Sequence, residues 1–375
     1  MVLFSKSLIA FAATVFASGI LAHPGHDPSE EIAQQAAYFA TGGKRSLVHC
    51  SEQLKARGHE ERLIARRRFM LEKLRKKKRS LETRDFTSVL NTDHHSTLDV
   101  SPESPENVIF AGNNSCILSP DVTEGPYYVS GELVRKNVTE DEVGVPLTFD
   151  VQVININTCE PMPGVLLEIW HCNSTGVYGG VVANGNGNIL DLANINKTAF
   201  RGIQPSDADG VLSFDTIVPG HYTGRTPHIH VLAHLNATLL PNATVSGGTI
   251  SHVGQLFFDQ TLYDDVRTVS PYSENTQALT TNAEDSIMGE EAATSDPVLE
   301  YVYLGDSVDE GVFGWIAFGV DPSVNKTVSA AASYGIGGGH ANNNTGDGMG
   351  GGGGGGPATP ASPGRICRSH TCYDA

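Results

Sequence analysis

Between residues 105 and 328 the chain is a succession of short apolar runs. LTFDVQVINI (147–156), VLLEIWHC (165–172), GVLSFDTI (210–217), HIHVLAHL (228–235), GQLFFD (254–259) and YVYLG (301–305) are strand-length and partly alternating, with Gly, Pro, Asn and Asp between them. Several short strands at this spacing, with little helical periodicity, predict an all-β fold with a β-sandwich core. About 220 residues is enough chain to bury a sizeable core as one domain.

The flanks have different textures. Residues 1–22 place Lys6 ahead of an almost unbroken apolar run that ends in small residues, the pattern of a secretory signal peptide. Residues 23–100 contain QLKARGHEERLIARRRFMLEKLRKKKRSLE, free of proline and rich in helix formers, so a basic helical N-terminal segment is expected there. Residues 329–375 are dominated by Gly, Asn and Pro and predict a low-complexity, disordered C-terminal tail.

Charge sharpens this division. The formal net charge is −17, yet between Lys44 and Arg84 fifteen Lys/Arg face five Asp/Glu, so one basic segment is joined to an otherwise acidic chain. A basic run alone points to nucleic acid or an anionic membrane; in a chain with a signal sequence it reads better as a helix or pro-region docked on the acidic body. Lys44-Arg45 and Lys78-Arg79 are dibasic pairs at which such a region would be cut. Neither nucleic acid nor, after signal removal, membrane is therefore an expected partner. Eight Asn-x-Ser/Thr triplets, at Asn113, Asn137, Asn173, Asn196, Asn236, Asn242, Asn325 and Asn343, fit an extracellular glycoprotein. Six cysteines then predict disulfides, with Cys367–Cys372 the favoured local pair.

Candidate chemistry begins at His228 and His230. Two positions apart on a strand, they point to the same face and can reach one ion. An H-x-H pair alone is weak, and His234 on that face has no evident ligand role. Upstream, Tyr222 sits in a Gly/Pro-flanked turn (IVPGHYTGRTP), and Tyr178 follows a strand in a loop with Gly176, Gly179 and Gly180. Singly, each tyrosine reads as a packing or hydrogen-bonding residue. Asp207 and Asp209 in SDADG lack the further ligands of a calcium loop, and Asp-Gly is foremost a turn signal.

Three separated motifs, EGPYY at 124–128, W-H-x-N-x-x-G-x-Y from Trp170 to Tyr178, and G-x-Y-x-x-R-x-x-H-I-H from Gly220 to His230, together resemble the intradiol ring-cleavage dioxygenases, most closely a secreted fungal branch. The resemblance implies a non-haem Fe(III) centre held by Tyr178, Tyr222, His228 and His230. Arg225 would face the substrate, and Gln255 would lie near the aromatic ring. It also implies a small diphenol and O2 as reactants and a muconate-type diacid as product, with Tyr222 accepting a substrate proton. Cys172 departs from the family's usual Ala, and its state, disulfide or thiol, is open. The donor set suits the metal: a phenol with pKa about 10 ionises at neutral pH only beside a highly charged cation, and two phenolates plus hydroxide balance Fe(III).

Two other readings compete. Cleavage after Ala22 would expose His23 as an N-terminal copper chelate with His26, as in secreted copper monooxygenases; alternatively the sandwich binds aromatics or carbohydrate without catalysis. Oligomeric state is left open by the sequence.

Overall fold

In the computed structural model the described residues are 47–79, 116–117, 124–292, 297–342, 366–368 and 371–373. A 3-10 turn at Val48–Cys50 leads into α1 (Ser51–Ala56) and α2 (His59–Arg79), which are separated at Gly58, where φ is +60°. Then follow β1 (Cys116–Ile117), β2 (Val129–Ser130), β3 (Pro146–Asn155), β4 (Glu160–Pro161), β5 (Leu166–Trp170), β6 (Arg201–Pro205), β7 (Val211–Ile217), β8 (His228–Leu235), β9 (Thr238–Leu239), β10 (Val245–Ser246) and β11 (Thr249–Phe257). Two short helices, α3 (Gln260–Val266) and α4 (Ser286–Ala292), precede β12 (Glu300–Tyr303), β13 (Val312–Val320), β14 (Ala332–Gly335) and β15 (Gly338–Ala341).

Two sheets make the sandwich. In the first, β13 runs parallel to β3 along its whole length; β7 and β4 extend the β3 side, and β1 and β12 the β13 side. The second is antiparallel in the order β11-β8-β5-β6. Phe149, Val151 and Val153 of β3 and Ile316 and Phe318 of β13 meet Leu167, Ile169, Ile229, Val231 and Ala233 of the second sheet in the main core.

Strands β8 and β13 are buried at every position, so the faces turned away from this core are covered as well. Outside the first sheet lies α2: Ile64 and Leu71 pack with Phe313 and Trp315, and Arg67, fully buried, pairs with Asp150 at 3.3 Å. Outside the second sheet lie loops and the candidate site.

Of the expected strands, all six appear. Sequence alternation missed β13, VFGWIAFGV, because a strand buried on both faces is continuously apolar rather than alternating. It also missed β6. The helical N-terminal segment is observed, and the disulfide Cys50–Cys159 bonds it to the body. The expectation of a disordered tail from residue 329 is corrected in part. Strand β14 pairs with β2 and β15, the Ala331 N–H donates to the Tyr128 carbonyl at 2.8 Å, and Ala331 and Ala332 are buried against the Tyr127-Tyr128-Val129 cluster. Ala330, Ala331, Ala332 and Tyr334 still offer apolar surface, and the stretch finds a strand partner; the long glycine run starts only at Gly350.

A separate small unit, residues 346–375, contains a hairpin of β16 (Ile366–Arg368) and β17 (Thr371–Tyr373) that sets Cys367 directly opposite Cys372. The apolar run 1–22, His23, the pair Lys44-Arg45 and the sequons at Asn113 and Asn343 lie outside the described residues. Among the described residues no helix is long and apolar enough to cross a membrane.

Candidate metal centre

The outer face of the second sheet presents a transverse row. Gln255 of β11 lies opposite His230 of β8, His230 opposite Trp170 of β5, and Trp170 opposite Arg201 of β6. His228 lies two positions along β8, and its Nε2 is 3.2 Å from the Nε2 of His230. Strand period 2 thus produces the expected pair of convergent imidazoles. The Trp170 indole stacks on the His230 ring with centroids 4.8 Å apart and planes 3° from parallel, which fixes that imidazole's orientation. The Nδ1–H of His228 donates to the Thr226 carbonyl at 2.7 Å, leaving Nε2 as the lone-pair nitrogen that faces the site.

Both tyrosines reach the same point. The Tyr178 hydroxyl is 3.2 Å and the Tyr222 hydroxyl 3.3 Å from the His228 Nε2. Tyr222 owes its place to a tight turn. The Arg225 N–H donates to the Tyr222 carbonyl at 3.1 Å, with Gly224 at φ +93° in the position where a type II turn needs a residue free of Cβ strain. The same turn brings Arg225 beside Tyr222. Tyr178 is held through its backbone: its N–H donates to Asn186 Oδ1, and its carbonyl accepts from the amides of Asn186 and Asn194, each at 2.8 Å. The two ligand loops touch backbone to backbone. A Cβ on Gly176, itself at φ +81°, would collide with the His221 carbonyl, and one on Gly220 with the Ser174 carbonyl.

Burial pushes the Tyr178 and Tyr222 phenols well above their usual range. It drives His230 well below its usual range, with Arg225 adding to the effect, so that imidazole is neutral. On their own these groups are therefore two protonated phenols and, at His230, a neutral imidazole in a dry site. Donor atoms so disposed fit a small cation of high charge: ligands about 2 Å from a metal sit roughly 3 Å from one another, as the other three donors do from His228 Nε2, and such a cation would ionise buried phenols. Zinc more usually takes His, Cys or carboxylate, and the Fe(II) triad needs a carboxylate; neither describes this set.

Arg225 is fully buried. Its Nε donates to Asp285 Oδ2 at 2.8 Å, and its Nη2 to Gln255 Oε1 at 2.6 Å. Desolvation opposes its charge, but Asp285 outweighs that, and its pKa is raised. Asp285 also accepts the Thr226 N–H at 2.8 Å and, through Oδ1, the Met288 N–H at the start of α4. The six residues expected from sequence thus meet in one place.

The sequence did not flag Asp285, Asn186, Asn194 or Arg201, and it assigned no role to Tyr127 within the EGPYY motif. The Tyr127 ring lies 4.7 Å from Tyr178 and 6.4 Å from Tyr222. Arg201 donates to the carbonyls of Gly179 and Tyr127 and pairs with Glu132 at 3.0 Å, tying both of these tyrosine-bearing loops to β6. Cys172 is a free, buried thiol 3.2 Å from the Gly220 carbonyl; burial pushes it up to about 12, so it stays protonated beside the site. His234 is no ligand, for its Nε2 lies 2.6 Å from Glu168 Oε2. His340 is paired opposite Ser333 in the β14–β15 hairpin.

A β-sandwich that brings two tyrosines and two histidines to one buried point offers a candidate donor set of phenolate-imidazole type. Residues 119–291 match the family model Dioxygenase_C, described as a dioxygenase. A catechol 1,2-dioxygenase of Acinetobacter lwoffii is 31% identical over 109 residues, 28% of this chain and 32% of the relative, so the chain spans about a third of that relative's length. Among solved structures, an intradiol ring-cleavage dioxygenase from Tetranychus urticae is similar at 28% identity, covering 56% of this chain and 98% of its own, with a TM-score of 0.47. The dioxygenase domain of a carbohydrate-binding fusion from Streptomyces sp. SirexAA-E is similar at 29% identity, covering 54% and 97%, with a TM-score of 0.35. Over residues 119–291, just under half of the chain, it is thus similar to the dioxygenases that this family model describes.

Proposed function

We infer that this chain is an extracellular Fe(III) dioxygenase that opens catechol-type rings between the two hydroxyl-bearing carbons, using O2 and yielding muconate-type diacids. The observation that carries this reading is the convergence of the Tyr178, Tyr222, His228 and His230 donor atoms at 3.2 to 3.3 Å around His228 Nε2. Bound there, Fe(III) would act as a Lewis acid and template for the diphenol.

The protein's own part is positional and electrostatic. By the resemblance to the intradiol dioxygenases, Tyr222 is the donor that would take a proton from an incoming hydroxyl. His228 and His230, fixed by Thr226 and Trp170, hold their orientation throughout. The Arg225 guanidinium, locked by Asp285 and Gln255, offers a preorganised positive group beside Tyr222 for negative charge developing on the ring oxygens. Burial excludes water, so each of these interactions acts at low dielectric.

Secretion is supported by the residue 1–22 pattern and by the exposure of Asn137, Asn196, Asn236, Asn242 and Asn325, sequons whose surface position suits glycosylation. The copper reading needs His23 and does not use the four converging donors.

The test is oxygen uptake by iron-loaded protein against catechol, hydroxyquinol and protocatechuate, with product analysis and a visible spectrum. A tyrosinate-to-iron charge-transfer band that His228→Ala abolishes, and ring opening lost in both His228→Ala and Tyr222→Phe, are expected. Full iron binding and ring opening in His228→Ala would refute the ligand set.

A further inference from the structure

The basic N-terminal segment reads by sequence as removable, since dibasic pairs at 44–45 and 78–79 bracket it. Its docking argues otherwise. Leu47 and Cys50 are buried, and Cys50 is disulfide-bonded to Cys159 of the body. Along α2, His59, Leu63, Arg67 and Leu71 recur every fourth residue on one buried face. That face meets β3 and β13. The Arg67 guanidinium lies over Trp315 at 5.6 Å and pairs with the buried Asp150, while His59 contacts Gln152. Around the rim, Arg57 pairs with Glu160, Arg62 with Asp209 and Arg66 with Asp207; the acidic turn SDADG thus receives the helix.

Loss of the segment would strip Asp150 of its cation and would bare Phe313 and Trp315. Breaking a buried pair by removing one partner is strongly unfavourable, and the exposed aromatic surface would add to that. Three kinds of restraint, covalent, ionic and apolar, therefore hold the same stretch. The segment covers the outer face of the first sheet, whereas the metal centre lies on the outer face of the second.

We propose that residues 46–79 are a permanent light chain of the enzyme: proteolysis at Lys78-Arg79 divides the polypeptide but leaves the helix bound to the body through Cys50–Cys159 and the Arg67–Asp150 interface. Hydrolysis after Arg79 consumes one water, which supplies the hydroxyl of the new Arg79 carboxyl group and a hydrogen of the new Ser80 amine. The agent required is an endoprotease that recognises paired basic residues. The product is a two-chain enzyme, not a body freed of an inhibitor.

The experiment treats the wild-type protein, purified without reductant, with such a protease. A single species on a non-reducing denaturing gel, resolved by reductant into body and light chain, is expected, with ring-cleavage activity unchanged within twofold. Gel filtration of the cut, reduced protein without denaturant should still co-elute both chains, because the buried ion pair and apolar contacts persist. Joint replacement of Lys76, Lys77, Lys78 and Arg79 by Ala should block the cut, because Arg79→Ala alone leaves the pair Lys77-Lys78. Release of the light chain from unreduced wild-type protein, or resistance of wild-type protein to cutting at this pair, would overturn the proposal. The gel readouts are independent of activity, so a wrong assignment of function leaves this test intact.

Discussion

Replacing Asp285 by Asn keeps the side chain's size but removes the carboxylate charge bonded to the Arg225 guanidinium. Asp285 is a positioning residue, acting through Arg225. Asp285→Asn should therefore retain iron and its colour while kcat falls by about 10- to 100-fold, the usual cost of losing a partner that orients a site residue. A parallel loss of iron would instead mean a structural role. Glu168 gives a second residue-scale test. Burial raises its carboxyl from the ordinary 4.5 to about 7. The unfolded chain thus loses this proton first as pH rises, and folded stability attributable to Glu168 falls between about 4.5 and 7. The effect is at most about 3 kcal/mol. His234, held down to about 4 by burial, works the other way below its ordinary 6.5. Thermal melts of wild type and Glu168→Gln from pH 5 to 8 should show wild type losing ground steadily; parallel curves would contradict the shift.

At the scale of elements, the metal centre depends on two loops meeting over one strand pair. Gly176→Ala puts a methyl group into the His221 carbonyl and strains a residue at φ +81°. The loops carrying Tyr178 and Tyr222 must then part. Iron stoichiometry and the charge-transfer band should drop together, with little change in the far-ultraviolet circular dichroism of the sheets. A variant with full iron content would show that the close approach is not needed. Part of the site was legible in sequence because its spacing is local: His228 and His230 by strand period and Tyr222 by its Gly/Pro-flanked turn, whereas Arg225 was singled out by the family resemblance. Asp285 was not, since it sits sixty residues from Arg225, next to a short helix whose placement depends on tertiary packing. Asn186 and Asn194 likewise read as ordinary loop polars until their amides are seen holding the Tyr178 carbonyl.

For the molecule as a whole, the segregation of charge becomes an interface. Arg67→Ala should strip Asp150 of its counter-charge, lower stability by about 3–5 kcal/mol, and lower the melting temperature accordingly. Activity at 25 °C should survive in the fraction that remains folded, because the helix and the metal centre occupy opposite outer faces. Unchanged melting would mean that the pair contributes nothing to holding the helix. Each sheet of the sandwich thus uses its inner face for the core and its outer face for a separate task, one bearing the disulfide-anchored helix and the other the site.

By itself the sequence determined the all-β class, most of the strands and the basic helix, because these follow from local periodicity and turn residues, and it pointed to the four donor side chains through the resemblance carried by three separated motifs. Tertiary structure alone decided which carboxylate holds Arg225, that Cys50 bonds to Cys159 while Cys172 stays a thiol, and that part of the C-terminal segment pairs with β2. Those outcomes depend on which distant groups arrive together in a dry interior, where an unpaired charge or backbone amide is too costly to leave, and no local pattern encodes that arrival.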